Sequence, residues 1–130
     1  MRDLFELGDF TLHSGAKSEW RINEEALSDK SIEAAAYLLS KRLPPFEECY
    51  GIPKGGIRLM RVMRTLSKED KGHGTLLIVD DVLTTGWSMH VKRQELLISH
   101  SSKRIVGAVI FARGPCAGWI TPLWNLKETP

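Results

Sequence analysis

The sequence predicts an α/β fold: a parallel sheet with helices on both faces, preceded by a small N-terminal surface flap. Three observations carry this. Leu76-Leu77-Ile78-Val79 is an unbroken apolar run, too short for a helix and rich in branched side chains, as expected of a strand buried on both faces. Arg104 to Ala112 (RIVGAVIFA) is a second such run. Helix-compatible stretches near 57–64 and 88–98 alternate with strands near 47–52, 75–80 and 105–112, the order that right-handed βαβ crossovers produce.

A chain of 130 residues is one domain, so positions 1–130 are read as a single unit with 1–23 as its flap. The net charge of +2 comes from Lys and Arg that are scattered rather than massed, so nothing in the balance calls for nucleic acid as a partner. Two cysteines, Cys49 and Cys116, stand apart from any CxxC or Cys/His cluster, which argues against a zinc site or a disulfide framework and for a reducing, cytoplasmic setting. The sequence lacks an apolar run of membrane-spanning length, and Met1-Arg2-Asp3 does not read as a secretory leader, so no membrane partner is expected.

Residues 4–23 (LFELGDFTLHSGAKSEWRIN) are broken by Gly8, Ser14 and Gly15 into short strands and turns. From Ser28 a helix begins, with Ser28 or Ser31 as N-cap. Ile32, Ala35, Ala36, Leu38, Leu39 and Leu43 give it an apolar stripe, and Pro44-Pro45 stop it. Glu48 to Ile52 is a short strand running into Pro53-Lys54-Gly55-Gly56. The paired glycines allow a tight turn and a close backbone approach to an anion, although the Walker spacing is absent. Beyond it, Ile57, Met60 and Met63 mark a helix with Arg58, Arg61 and Arg64 outside. Thr65 to Gly74 (TLSKEDKGHG) is a charged, exposed loop. Gly118 to Trp124 is read as a last short strand whose tryptophans serve the core or a dimer contact.

The chemistry concentrates after Val79. Asp80 and Asp81 end the strand, and Thr84, Thr85, Gly86 and Ser88 lead into a helix from Met89 to Leu97. Unpaired N–H groups at a helix start carry partial positive charge, so this turn suits a phosphate, with the hydroxyls adding donors. Two carboxylates beside a phosphate would repel it. They should instead face donors, such as sugar hydroxyls or a hydrated Mg²⁺.

LLIVDDVLTTGWS, residues 76–88, closely resembles the phosphoribosyl pyrophosphate (PRPP) signature of type I phosphoribosyltransferases: four apolar residues, two acids, then a small, Thr-rich turn. Trp87 is unusual where that turn is normally small, and is read as packing or an interface. The resemblance implies that Asp80 and Asp81 bind the ribose 2- and 3-hydroxyls. It implies also that Val82-Leu83-Thr84-Thr85-Gly86-Trp87-Ser88 lines the PRPP site, with Thr84 to Ser88 cradling the 5-phosphate. GIPKGG at 51–56 resembles the family's pyrophosphate loop, giving Lys54, Gly55 and Gly56 contacts to substrate phosphates.

Other segments are similar to the orotate branch. Gly8-Asp9-Phe10-Thr11-Leu12, Ser14-Gly15, Lys17-Ser18, Trp20 and Asn23 follow the pattern of its hood. His13 stands where that family usually has Lys, and Arg21 and Ile22 stand where aromatics usually flank the base. Lys68-Glu69-Asp70-Lys71-Gly72-His73-Gly74 resembles its lid, which makes Lys68, Lys71 and His73 candidates for neutralising pyrophosphate. Ser67 replaces the usual Arg, and the segment before Leu76 is shorter than in the family. Arg113, at the end of the second apolar run, is where that branch meets the base carboxylate.

The implied reaction displaces pyrophosphate from ribose C1 by a nucleobase nitrogen, orotate being the best guess. Mg²⁺ is held mainly by PRPP and through water by Asp80 or Asp81, and the protein is expected to be a homodimer. The rival reading is a non-catalytic PRPP- or nucleotide-sensing protein that kept the cradle and lost a complete lid.

Overall fold

The computed structural model describes residues 4–11, 17–66 and 74–126. Its centre is a four-stranded parallel sheet in the order β3 (Glu48–Gly51), β4 (Thr75–Leu83), β5 (Arg104–Ala112), β6 (Ile120–Asn125). Between these lie α2 (Gly56–Thr65) and α3 (Trp87–Ser99), while α1 (Asp29–Ser40) precedes β3. The two apolar runs are the two central strands, which is why they lack polar alternation. Leu76, Leu77, Ile78, Val79, Val109 and Ile110 are all at most 2 % exposed.

Each face of the sheet has its own helices. Ile32, Ala35, Ala36 and Leu39 of α1 and Leu59 and Met63 of α2 pack with Leu77, Val79, Ala108 and Ile110. Met89 and Leu96 of α3 pack with Leu76, Ile78, Ile105 and Val109 on the other side. Leu77 and Ile78 are neighbours in the chain yet belong to opposite layers, as the two-residue period of a strand requires.

Ser28 caps α1, its hydroxyl accepting from the Ser31 N–H at 3.1 Å. The helix ends at Ser40, earlier than the prolines suggest, so Leu43 lies beyond it and Leu38 is 43 % exposed rather than part of the apolar stripe. Arg42 lies just past the helix. Its guanidinium donates to the Leu123 carbonyl at 3.0 Å and ties the end of α1 to β6. Arg58 and Arg64 also do more than face water. Arg58 donates to the carbonyls of Leu27 and Glu24 at 2.9 and 3.2 Å, and Arg64 lies 3.1 Å from the Glu48 carboxylate.

The N-terminal segment forms an antiparallel hairpin, β1 (Phe5–Thr11) with β2 (Lys17–Ile22), pairing Phe5 with Ile22 and Thr11 with Lys17 around an irregularity between Leu7 and Phe10. It reaches the main body through Ile22, which is buried in the α1/α2 layer, and through Phe5, whose ring meets Phe111 edge-on at 6.4 Å. His13, Ser14 and Gly15 fall outside the described residues. Among the described residues no helix is long and apolar enough to cross a membrane. Cys49 and Cys116 are both free thiols, and burial pushes the Cys49 thiol up to about 12, so it stays protonated and inert.

Candidate active site

The site is built at the C-terminal ends of β4 and β5, the edge at which open α/β sheets bind ligands. Asp80 and Asp81 are not at the end of β4, as the sequence reading has it, but inside it. The strand continues to Leu83, with Asp80 opposite Val109, Val82 opposite Phe111 and Leu83 opposite Ala112. The acids are tolerated there because β5 is equally long, so the backbone ladder runs past them. Each carboxylate also accepts from the next residue: Asp80 Oδ1 from the Asp81 N–H and Asp81 Oδ1 from the Val82 N–H, both at 2.8 Å. These bonds hold the two side chains in defined positions.

Their environments differ. Asp81 is buried at 6 % exposure, while Asp80 lines a cleft of about 340 Å³ with Val82, Leu83, the turn 84–88 and Met89. Burial, then the hydrogen bond and negative charge of Asp81, with a smaller contribution from Glu24, raise the Asp80 carboxyl far above the carboxylate range, to about 9. A pair that holds a proton at neutral pH is short of positive charge or of hydroxyl donors, and the cleft is where either would enter.

The turn after β4 has the geometry of an anion cradle. Gly86 adopts the left-handed conformation at φ +84, which a residue without Cβ reaches at little cost, and it serves as the N-cap of α3. As a glycine, the N-cap residue offers no side chain to the first turn. Within it the Trp87 N–H turns towards Thr85 Oγ1 at 3.3 Å. The sequence-predicted residues Val82 to Ser88 thus share one cleft with Asp80. Trp87 is 68 % exposed and stacks on His90 with ring centroids 5.6 Å apart, so it is not core.

The second motif meets the first. Residues 53–55 form the turn between β3 and α2, and the Pro53–Lys54 peptide is cis. A Cβ placed on Gly55 would fall on the Asp81 carboxylate, and one on Gly56 would come 2.6 Å from the Val79 carbonyl oxygen. The glycine pair is therefore needed for loop-to-strand contact, bringing the 53–56 turn directly against the acidic pair. Lys54, adjoining in the chain, is exposed.

Arg113 follows β5, and the structure places it in the hairpin rather than free at the strand tip. Its guanidinium donates to the Trp20 carbonyl at 3.2 Å and to Ser18 Oγ at 2.8 Å, and lies 3.5 Å from the centre of the Trp20 ring. Ser18 and Trp20, which the sequence reading took only as hood pattern, are thus the neighbours of Arg113. Arg21, where a base-stacking aromatic is expected, pairs with Glu6 at 3.1 Å and covers the Phe10 ring at 4.7 Å. Ile22 has become a core residue. Lys68, Lys71 and His73 lie outside the described residues. Among the described residues no cluster of three or more His, Cys, Asp or Glu gathers to hold a metal. The two adjoining carboxylates fit a cation that brings most of its ligands with it, as Mg²⁺ does with phosphates and water.

No protein-family model matches the sequence, and no curated protein sequence matches it either. Solved structures do. Orotate phosphoribosyltransferase from Aeropyrum pernix superposes with a TM-score of 0.74 at 26 % identity, over 95 % of this chain and 89 % of that one. Leishmania donovani UMP synthase gives 0.73 at 19 % identity over 95 % of this chain, which spans 34 % of that larger protein. The xanthine-guanine-hypoxanthine phosphoribosyltransferase of Helicobacter pylori gives 0.57 at 17 % identity, covering 75 % of this chain and 87 % of that one. The shared architecture, with the PRPP-like signature at the C-terminal edge of the sheet, gives this chain the type I phosphoribosyltransferase fold, similar to that of the orotate phosphoribosyltransferases.

Proposed function

We propose that the chain is a phosphoribosyltransferase that joins a nucleobase, orotate first among them, to PRPP with release of pyrophosphate. The observation that carries this reading is the convergence of two turns, each proposed to bind phosphate, on one acidic pair. The 53–56 turn touches Asp81, and the 84–88 turn shares its cleft with Asp80. An ordinary strand–turn–helix would need neither a buried carboxylate nor a glycine held against it.

In the proposed reaction the C1–O bond to pyrophosphate breaks, with the electron pair leaving on pyrophosphate. A C1–N bond forms to the base, whose nitrogen gives up its proton. Positive charge grows on the ribose ring, where Asp80 and Asp81 oppose it. Negative charge grows on the leaving group, for which the Lys54 and Gly55 amides and the Lys54 side chain are the proposed donors, the Gly56 N–H being already bonded to the Ile52 carbonyl; the resemblance assigns Lys68, Lys71 and His73 to the same step. Mg²⁺, held by PRPP oxygens and through water by Asp80 or Asp81, would supply further neutralisation of the departing pyrophosphate. Fixing both reactants in line lowers the barrier further.

Orotate is favoured because a carboxylate suits the planar fork of Arg113. That fork now rests on two neutral acceptors, the Trp20 carbonyl and the Ser18 hydroxyl. A carboxylate forms charge-assisted bonds roughly twice as strong as neutral ones, so it competes well for the guanidinium. The test is a panel of orotate, uracil, adenine and hypoxanthine at fixed PRPP and Mg²⁺, with pyrophosphate release measured for the native protein and Arg113→Ala. Orotate turnover that vanishes with Arg113 supports the assignment. A preference for a neutral base, or orotate turnover indifferent to Arg113, refutes the orotate assignment.

A further inference from the structure

A phosphate cradle works through amides and hydroxyls, so it gives the large indole at position 87 no task. Trp87 nevertheless stands in the turn that lines the Asp80 cleft, and at 68 % exposure it does not pack the core either. Its ring stacks on His90, at a centroid distance of 5.6 Å and an interplanar angle of 29°. Both residues line a second, mostly apolar cleft of about 490 Å³, which Trp119, Ile120 and Pro115 also wall. Trp119 is firmly held. Its carbonyl accepts the Gly107 N–H at 2.8 Å, a Cβ on Gly107 would come 2.8 Å from its ring, and the Arg93 guanidinium lies 5.1 Å from the ring centre. A strand glycine, which sheet interiors otherwise avoid, thus makes the place where this indole rests.

We propose that this second cleft is a binding site for the planar heteroaromatic ring of a nucleoside. Two indoles and an imidazole give it the π-faces on which nucleobases stack. Other guests of aromatic-lined clefts fit worse. A quaternary ammonium seeks ring faces without a competing charge, but the Arg93 guanidinium already sits over Trp119. Among the described residues the lining has no carboxylate to draw a cation and no Lys or Arg to pair with a phosphate. An uncharged ring remains, whose edge can use the Thr85 hydroxyl and the His90 ring nitrogens. A few polar groups in an apolar wall, at this volume, are the usual make-up of a small-molecule site.

Thr85, Gly86 and Trp87 line both clefts, so the turn is a shared wall. Trp87 is the first residue of α3, and its N–H donates to Thr85 Oγ1 at 3.3 Å, which joins the indole to the backbone of the cradle. A ring stacked on Trp87 therefore bears on the turn proposed for the 5-phosphate, and the two ligands alter each other's affinity by one common factor. This coupling rests on the phosphoribosyltransferase reading; the site itself does not.

The test is calorimetric titration of the native protein, Ala117→Trp and His90→Ala with adenosine, guanosine, cytidine and uridine, each with and without saturating PRPP and Mg²⁺. Ala117 is exposed and lines the second cleft but not the first, so a Trp there fills the cleft without disturbing the core. At least one nucleoside should bind the native protein. Ala117→Trp should abolish that binding while its melting temperature and PRPP affinity stay native, and His90→Ala should weaken it by roughly three- to tenfold. Saturating PRPP should shift the nucleoside affinity by roughly fivefold or more. No binding by any of the four, or binding that survives Ala117→Trp, would overturn the site. An affinity that drops as protein concentration rises would assign the cleft to a second copy of the chain and overturn it as well. Nucleoside affinity indifferent to bound PRPP would overturn the coupling. Nucleoside binding that Ala117→Trp removes, in a protein that takes up no PRPP, would uphold this site and refute the PRPP reading instead.

Discussion

Gly55 lies so close to the Asp81 carboxylate that a Cβ at position 55 would overlap it. Asp81 is buried and anchored by the Val82 N–H, so it has little room to withdraw. The 53–56 turn and the acidic pair therefore behave as one piece. Gly55→Ala should cost about 1–3 kcal/mol of stability, the usual penalty for overpacking, and weaken PRPP binding together with it. Thermal unfolding and calorimetric titration of the variant would check this. Unchanged values in both would mean that the turn moves freely against Asp81.

The cradle can be tested by charge. Thr85 sits in the turn that opens α3 and lines the cleft with Asp80, so Thr85→Asp should place a carboxylate where the 5-phosphate is proposed to bind. Calorimetry with PRPP should then show no measurable binding, while the melting temperature stays near the native value because Thr85 is exposed. Normal PRPP affinity in this variant would put the phosphate elsewhere.

Asp80 predicts a pH dependence of stability with a definite sign. Its folded carboxyl is raised above its unfolded value, so between about pH 4 and about pH 9 the folded state binds the proton that the unfolded state has lost. Its contribution is complete below the lower value and disappears as pH climbs through the window, at no more than about 1.4 kcal/mol per pH unit. Unfolding titrations of the ligand-free protein should show this downward slope, and Asp80→Asn should flatten it. A native slope of the opposite sign, or one that survives Asp80→Asn, would remove Asp80 as its cause.

Much of this was legible in the sequence because strands buried on both faces cannot hide. Leu76 to Val79 and Ile105 to Ala112 have no polar alternation, and they are the two central strands. The PRPP-like turn was legible for the same reason, since small and hydroxyl-bearing residues follow the buried strand directly. What the sequence did not disclose depends on tertiary partners. The extension of β4 through its acids required knowing that β5 was long enough to pair with them. The attachment of Arg113 to Ser18 and Trp20 joins positions more than ninety residues apart, beyond any local pattern. Ile22 looked like a missing base-stacking aromatic, but its burial against α1 and α2 shows it anchoring the hairpin.

The acids should matter more to the chemical step than to binding, because charge on the ribose develops mainly in the transition state. In the Asp80→Asn/Asp81→Asn double variant kcat should fall strongly, with a smaller change in PRPP affinity. Stopped-time assays alongside calorimetry separate the two. Equal losses in both would make the carboxylates ground-state ligands only.

The central claim is transfer of the phosphoribosyl group, and its most direct measurement is product formation from PRPP, Mg²⁺ and a base. Phosphorus NMR can follow pyrophosphate and the nucleoside 5-monophosphate in the same tube. The account predicts that the two accumulate one for one with at least one base of the panel, and that both fail to accumulate with the Asp80/Asp81 double variant. PRPP bound tightly by the native protein but left intact with every base would contradict it, and would identify the chain as a sensor built on the same cradle.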